Sequence, residues 1–268
     1  MRWLLALLAV AYSVSLAAQP LHFGYYEVDR LYDTLPSPFY NDTHYTPAGR
    51  YGWDTERYRQ KINRIAAVID SMHLHIIALH GVENEQVVRD LSATLQSDYL
   101  YLHRTLNRLD GMDFALLYEG DRLTPLRVET KRQALYIEAL FSRDTVNILL
   151  TTDSRTLPYL LEELSDRNPQ RPLIVAGELG GTDLRAYGLV DRFTALEAEG
   201  LGNQRRQGGW RMQHRIATSP SLGNGTGGIF VQRFLFDASG EWPAATFVGS
   251  QYRGGGSRFL PVWVEIAL

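Results

Sequence analysis

The sequence predicts an α/β protein in which two β-sheets pack face to face and helices cover their outer sides. Two features of the residue pattern support this prediction. Apolar or alternating segments typical of strands recur along the whole chain, whereas helical spacing is concentrated in the first two thirds. Glycine-rich turns at 223–228 and 254–256 divide the last third into short strands.

The predicted strands are segments in which apolar residues are continuous or alternate with polar ones. The segment that leads into His80 is almost continuously apolar, as expected for a buried strand. The predicted strands are 21–28, 75–82, 113–118, 126–129, 145–151, 173–177, 215–218, 229–236, 245–248 and 260–266.

Three segments have the spacing of amphipathic helices and begin with a suitable residue. Asp54 and Asn84 are the expected N-caps of the first two, because their side-chain oxygens can accept a hydrogen bond from a free backbone N–H. Pro158 lies in the first turn of the third, where a missing N–H has little effect. The predicted helices are 55–69, 85–96 and 157–165.

The N-terminus predicts a secretory signal peptide. Met1 and Arg2 supply a short positive start, residues 3–14 form an apolar run, and 15–18 supplies small residues for cleavage. We therefore expect a signal peptide at 1–18 and one domain at 19–268, in a protein that is periplasmic or secreted. The alternative is a short N-terminal membrane anchor, although the run is short for a span.

Composition narrows the classes of function. The chain has no cysteine, so disulfides and zinc–thiolate sites are excluded and packing alone must stabilise an exported domain. A net charge of −3 predicts no overall electrostatic attraction to nucleic acid. Arg205, Arg206 and Arg211 surround Trp210, but we interpret this segment as a solvated hairpin.

Four segments carry a family resemblance. The chain reads ALHGVEN at 78–84, GMDFALLY at 111–118, PLIVAGEL at 172–179 and SRFLPV at 257–262. In this order and spacing they resemble the endonuclease/exonuclease/phosphatase superfamily, and the likeness is greatest to an exported, bacteroidete-type branch. The resemblance spans nearly the whole mature chain and implies a four-layered, DNase I-like α/β sandwich.

The resemblance also implies a chemistry. Members of this family use Mg²⁺ or Mn²⁺ to cleave phosphate esters. A hard dication prefers carboxylate oxygens, neutralises phosphoryl charge and helps to generate a nucleophile. A histidine paired with an aspartate acts as the general base for water.

This chain departs from the family pattern at its metal-binding positions. The resemblance places Glu27 where an asparagine helps to hold the metal, and Gly81 where a glutamate is the metal ligand. Thr151 stands where a histidine is usual, Glu178 replaces an aspartate, and His214 replaces another aspartate. Gly81 therefore removes a metal ligand outright.

The remaining motif residues are also changed. Gly180 and Gly181 replace the asparagine and the second aspartate of the Gly-Asp-Phe-Asn-Asp pattern. Arg258 and Phe259 replace the acid and the general base of the closing Ser-Asp-His pattern. Phe259 cannot accept a proton, and Arg258 is a permanent cation where the family has an anion. These substitutions predict that the scaffold persists without its catalytic chemistry.

A weak Mg²⁺ or Ca²⁺ site could be rebuilt from three carboxylates, those of Glu27, Glu83 and Glu178. Alternatively, Glu83 only caps or pairs locally at the start of a helix, where acids are favoured. We interpret Asp113 as a structural residue at the start of a strand, and His80 as a residue that lines the cleft.

The same substitutions allow a cleft of reversed charge. If Arg155, His214 and Arg258 converge, they would bind a small anion without a metal, since arginine suits bidentate recognition of phosphate or carboxylate. Alternatively, Arg258 pairs with Glu27 or Glu178 and replaces a metal with a salt bridge.

Two hypotheses follow for the function. The first is an exported binding or scaffold module that needs no cofactor and binds a small anionic ligand or a protein, with nucleic acid not expected. The second is a phosphodiesterase or phosphatase with a remodelled carboxylate site that uses Mg²⁺ or Mn²⁺.

Overall fold

The computed structural model describes residues 20–141 and 143–267. The predicted signal peptide, residues 1–18, lies outside this range. In the part of the chain that the structure describes, no helix is both long enough and apolar enough to cross a bilayer.

The described residues form four α-helices, four short 3-10 helices and sixteen strands. The α-helices are α1 (Thr55–Met72), α2 (Glu85–Thr94), α3 (Leu157–Arg167) and α4 (Thr194–Ala198). The strands are β1 (Leu21–Leu31), β2 (Ile76–Val82), β3 (Leu100–Arg104), β4 (Asp113–Tyr118), β5 (Leu123–Lys131), β6 (Ala134–Phe141), β7 (Asp144–Thr151), β8 (Leu173–Gly177), β9 (Val190–Asp191), β10 (Gln204–Arg206), β11 (Gly209–Arg211), β12 (Arg215–Thr218), β13 (Gly227–Ile229), β14 (Phe247–Val248), β15 (Gln251–Tyr252) and β16 (Val262–Ile266).

Two mixed sheets of six strands each form the centre of the fold. The first has the order β13-β16-β1-β2-β4-β3, and the second has the order β5-β6-β7-β8-β12-β9. Within the first sheet β1 and β2 are parallel, and within the second β7 and β8 are parallel. Two hairpins, β10–β11 and β14–β15, lie outside the sheets. The predicted fold class, two packed mixed sheets with helices outside, is confirmed.

The layers follow from the alternation of side chains along each strand. On β1, Phe23 and Tyr25 belong to the apolar cluster between the two sheets, whereas Tyr26 and Val28 belong to the cluster under α1 and α2. Helix α3 covers the outer face of the second sheet. Glu27 shares its side of β1 with Tyr25, so its position in the sequence directs it to the space between the sheets.

The predicted helix starts are confirmed by their caps. The Asp54 side chain accepts a hydrogen bond from the N–H of Arg57, and the Asn84 side chain accepts one from the N–H of Val87. Each bond satisfies a backbone donor that has no partner within the helix.

Two predicted strands in the last third are wrong in part. The segment 229–236 contributes only the end of β13 and then a short 3-10 helix, Arg233–Leu235. Val231 and Phe234 are apolar and therefore fit the pattern of a strand, but they face solvent, being 56% and 46% exposed. The segment 245–248 contributes only Phe247 and Val248 to a strand.

Candidate functional site

A cluster of buried polar side chains lies where the carboxyl ends of β1 and β2 face the carboxyl end of β8. Glu27 comes from β1 and His80 from β2, while Glu178 directly follows β8. We call these three residues and the neighbouring polar residues whose charges or pKa values they influence the polar cluster. Its members are Tyr25, Glu27, His80, Arg108, Glu178 and His214. It joins the two sheets at the edge where the family motifs end.

Glu27 and His80 form a buried hydrogen-bonded pair in the polar cluster. The Glu27 Oε2 lies 2.5 Å from the His80 Nδ1, and the two side chains are 11% and 9% exposed. The second oxygen, Oε1, accepts a hydrogen bond of 3.0 Å from the N–H of Asp29. Burial acts to raise the pKa of Glu27, but the charge and hydrogen bond of His80 outweigh it and lower the pKa. Glu27 is therefore ionised, with both oxygens engaged by the protein.

His214 contributes a neutral imidazole. Its residue is 1% exposed, and burial lowers its pKa to about 4. The Asn203 side-chain amide lies 3.2 Å from the His214 Nδ1, and the Asn203 Oδ1 accepts the N–H of His214. Because Asn203 thus presents its NH₂ group to Nδ1, the ring proton is assigned to Nε2. That nitrogen lies 3.9 Å from the Glu178 Oε1.

Glu178 and Arg108 complete the cluster on the side of the second sheet. Burial, with the charge of Glu27, raises the pKa of the half-buried Glu178. Arg108 donates to both carboxylate oxygens of Asp110, over 3.0 and 3.1 Å, and to the Thr152 hydroxyl over 2.8 Å. The hydrogen bond that Arg108 donates to Asp110 raises the pKa of Arg108, with smaller contributions from the charges of Glu27 and Glu178. Arg108 is therefore paired with Asp110 rather than with Glu178.

Two polar atoms of the cluster have no hydrogen-bond partner among the described residues. They are the hydroxyl of Tyr25 and the Nε2 of His80, and both are buried. Burial, with the charges of Glu27 and Glu178, raises the pKa of the Tyr25 hydroxyl well above its usual range, so that it keeps its proton.

Arg258 does not pair with Glu27 or Glu178, so that prediction is wrong. Its Nε donates to the Oδ2 of Asp29 over 2.9 Å. The pairing of β1 with β2 is irregular between Glu27 and Leu31, and Asp29 and Arg30 adopt left-handed φ angles of 53° and 63°. This irregularity turns Asp29 out of the strand pattern, which is why sequence spacing did not identify it as the partner.

A buried lysine stabilises the same irregular segment. The Lys61 ammonium donates to the carbonyls of Asp29 and Arg30, over 2.5 and 3.1 Å. Burial lowers the pKa of Lys61 to about 8, against the opposing charges of Asp29 and Glu27. Lys61 therefore replaces strand hydrogen bonds that the irregularity leaves unmade.

Phe259 lies against the polar cluster in place of a titratable group. Its ring meets the His214 ring edge to face, with centroids 4.7 Å apart. The Tyr25 ring lies on another side of His214, with centroids 5.3 Å apart. His214 is therefore enclosed by aromatic carbon, which explains the burial that lowers its pKa.

Glu83 does not join Glu27 and Glu178. Its Oε2 accepts the N–H of Asp33 over 2.6 Å, and its Oε1 accepts the hydroxyl of Tyr40 over 2.8 Å. It thus anchors the segment that follows β1. The predicted alternative, a cap or a local pair at the start of α2, is also wrong, because Asn84 caps that helix. Burial raises its pKa to about 8.

We expect Glu83 to make stability depend on pH. Because its pKa is about 8 in the folded protein and near 4.5 when unfolded, the folded state binds more protons between these values. Its contribution is full below pH 4.5 and is lost as the pH rises through 8. Chemical unfolding of the wild type and Glu83→Gln across this range should show a smaller fall in the variant; equal falls would contradict the assignment.

The predicted anion site of Arg155, His214 and Arg258 is not assembled. Arg155 has a side chain that is 90% exposed and pairs with Asp153 over 3.0 Å. His214 is neutral near pH 7, and Arg258 is occupied by Asp29. The prediction failed because the positions of residues in the sequence do not show which side chains meet in space.

The side chains present do not fit the Mg²⁺ or Mn²⁺ that the family implies. Within 20–141 and 143–267, no group of three or more His, Asp or Glu residues has the arrangement of a metal site. Both oxygens of Glu27 are engaged, and Gly81 offers no side chain. The three-carboxylate set of Glu27, Glu83 and Glu178 is therefore not formed.

The other substituted positions surround the cluster. Thr151 ends β7 opposite Gly177 and is fully buried, and its hydroxyl accepts the N–H of Asp153 over 3.1 Å. Gly180 and Gly181 follow Glu178 in a loop, and a Cβ at either would meet no atom within 4 Å. A larger side chain at Gly180 would therefore meet no steric obstacle at its Cβ.

Sequence reasoning missed Tyr25, Arg108 and Asn203. A signal existed for Tyr25, because it lies two residues before Glu27 on the same face of a strand. Arg108 and Asn203 lie outside the strands, where periodicity carries no information.

The chain matches the sequence profile of one protein family and is similar to many solved structures. The sequence profile described as Endonuclease/Exonuclease/phosphatase family matches residues 22–171. No curated protein matches the whole sequence significantly. Among solved structures, a family protein from Bacteroides thetaiotaomicron is similar, with a TM-score of 0.59, 13% identity, and coverage of 94% of this chain and 98% of its own.

Two further structures are similar over comparable lengths. One is D. rerio TDP2 humanized by 14 mutations, with a TM-score of 0.58, 14% identity, and coverage of 93% of this chain and 99% of its own. The other is a Bacteroides thetaiotaomicron mannosyl-6-phosphatase, with a TM-score of 0.57, 13% identity, and coverage of 92% of this chain and 100% of its own. At these identities the likeness shows the fold alone.

Proposed function

Because this chain belongs to the endonuclease/exonuclease/phosphatase family, we propose that it is a member that has lost metal-dependent hydrolysis of phosphate esters. In this proposal the protein is exported and acts as a binding module. The observation that carries the proposal is the state of Glu27, whose two oxygens are held by His80 and by the N–H of Asp29.

The charge balance of the polar cluster supports this proposal. A metal site needs carboxylates whose charge the protein leaves for the cation. Here Glu27 is paired with His80, Asp110 with Arg108, and Asp29 with Arg258. In this proposal His80 and two arginines hold these carboxylates in place of a divalent metal.

The loss of the general base that the family has at position 259 gives independent support. Loss of a positioned acid or base typically lowers a rate by about 10²- to 10⁴-fold. Phe259 has no group that accepts a proton, and the ring that it contacts, His214, is enclosed.

The leader pattern at 1–18 supports export of the protein, with a periplasmic or secreted location.

The alternative function is a phosphodiesterase or phosphatase with a remodelled site. It is favoured by one observation, the Glu27–His80 pair, since a carboxylate on Nδ1 leaves Nε2 as a potential general base. A phosphatase among the structural relatives is consistent with it.

A turnover assay separates the two functions. The purified protein would be incubated with Mg²⁺, Mn²⁺ or Ca²⁺ and with p-nitrophenyl phosphate, bis(p-nitrophenyl) phosphate and mannose 6-phosphate. We expect no release of product above that of the metal and buffer alone. The Glu178→Ala variant, made in parallel, identifies contaminating activity, which it would not change. Turnover that is lost in Glu178→Ala would overturn the proposal.

A further inference from the structure

A large groove lies outside the two sheets. Its volume is about 1180 Å³. Pockets for drug-sized ligands span roughly 300–1,000 Å³, so this groove has room for more than a single small ion. Five arginines line it, and we call it the arginine groove: Arg64, Arg205, Arg206, Arg253 and Arg258.

The arginine groove concentrates positive charge in an acidic chain. The whole chain has a net charge of −3, yet Asp237 is the one acid among the residues that line the groove. The carboxylate of Asp237 is itself engaged, because its Oδ1 accepts the hydroxyl of Ser239 and the N–H of Gly240. The groove therefore favours an anion.

Most of these arginines keep their charge available. Arg258 pairs with Asp29, but in the described chain none of the other four forms an ion pair with a carboxylate. Arg206 donates to the Gln204 side chain over 2.8 Å, and Arg253 donates to the Gln251 side chain over 2.7 Å. These neutral partners orient the guanidinium groups without neutralising them.

Arg205 is held in place by aromatic rings. Its guanidinium carbon lies 5.8 Å from the centre of the Trp210 ring and 5.7 Å from the centre of the Trp242 ring. Such contacts fix the side chain and leave its N–H groups free to donate. An arginine fixed before binding loses less conformational entropy when an anion arrives.

Apolar side chains also line the arginine groove. Phe236, Trp242 and Phe247 line the groove, and Trp242 is 39% exposed. At the rim, Val248 is 60% exposed. A ligand that fits the groove thus combines several anionic groups with a ring or another apolar part.

We propose that the arginine groove binds a ligand that carries two or more phosphate groups. Its arginines come from α1, from the β10–β11 hairpin and from the segment after β15, and the groove that they line is larger than a single phosphate needs. The guanidinium fork matches phosphate oxygens in a bidentate geometry. This inference rests on the proposed binding role and specifies its site and its ligand class.

The first experiment uses inorganic tripolyphosphate as the probe, with binding measured by calorimetry and by tryptophan fluorescence. We expect wild-type binding that is tighter than that of orthophosphate or citrate. The Arg205→Gln/Arg206→Gln variant should bind at least about tenfold more weakly, because hydrogen bonds to charged groups each approach the energy of a tenfold change. Arg253→Gln, in a separate segment, should also weaken binding.

Arg211→Gln is the matched control, since Arg211 is an exposed residue of the same hairpin that does not line the groove. It should bind as the wild type does. Circular dichroism verifies that every variant is folded. The proposal would be overturned if the protein bound neither tripolyphosphate nor anionic vesicles, or if it bound citrate more tightly than tripolyphosphate. A loss of affinity in Arg211→Gln as large as that in Arg205→Gln/Arg206→Gln would also overturn it.

A second arm distinguishes a free phosphorylated molecule from a lipid headgroup. Phosphatidylcholine vesicles with and without phosphatidylglycerol would be sedimented with the protein. Binding to the anionic vesicles that is lost in Arg205→Gln/Arg206→Gln supports the site with a headgroup as the source. Binding of tripolyphosphate alone supports a free ligand. Turnover in the separate ester assay would contradict the loss of catalysis without affecting this result.

Discussion

Glu27→Ala should lower the free energy of unfolding by about 3–5 kcal/mol. The substitution leaves His80 buried without its carboxylate, and it removes the acceptor of the Asp29 N–H. Removal of one partner of a buried pair is strongly destabilising because the other group remains desolvated. Urea unfolding near neutral pH would measure the change.

An exposed pair of the same residue types provides the control. Glu265 lies 3.7 Å from His22, with side chains that are 43% and 32% exposed. We expect Glu265→Ala to change stability by only about 0–1 kcal/mol. If Glu27→Ala instead stabilised the protein, as removal of a functional carboxylate often does, Glu27 would be a functional residue and our interpretation of the cluster would fail.

Gly81→Glu, which restores the acid that the family has at this position, should destabilise the protein and should not restore a metal site. Gly81 has a φ of +88°, which strains any other residue. A Cβ there would lie 2.5 Å from the Glu27 Oε1 and 3.2 Å from the backbone nitrogen of Arg30. Strain and crowding together predict a loss of at least about 2 kcal/mol, measured by urea unfolding.

Gly180→Asn tests the same idea at a position with free space. A Cβ at Gly180 would meet no atom within 4 Å, so we expect a change of no more than about 0.5 kcal/mol. A Gly81→Glu variant as stable as Gly180→Asn would show that the irregularity of β1 adapts easily, against our description.

The fold was predictable where burial fixes the pattern. The strands Asp113–Tyr118, Leu173–Gly177 and Arg215–Thr218 have their predicted bounds, because they lie in the sheets and are almost wholly buried. The caps Asp54 and Asn84 were predictable because capping depends on local chemistry. The strand β6 was not predicted, although it is a central member of the second sheet.

The polar cluster was predictable only in part. The resemblance marks Gly81 and Phe259 as changed, but it cannot show what compensates for them. The pairing of Glu27 with His80 follows from the register of two parallel strands that are 53 residues apart in sequence. The contact of Arg258 with Asp29 depends on a backbone irregularity that no residue type announces.

The arginine groove was also predictable only in part. A hairpin at Arg205–Trp210 was expected, and β10 and β11 form it. The prediction treated its arginines as solvated, but Arg205 and Arg206 line a groove because distant loops close around the hairpin. Contacts of this kind depend on tertiary structure.

Calorimetric titration of the protein with Mg²⁺ and Mn²⁺ tests the central claim most directly. That claim is that both carboxylate oxygens of Glu27 are engaged by protein groups and that the cleft has no site for a catalytic metal. We predict no saturable heat of binding for either ion. Saturable binding that disappears in Glu27→Gln or Glu178→Ala would contradict it, because the carboxylates would then be available to a cation.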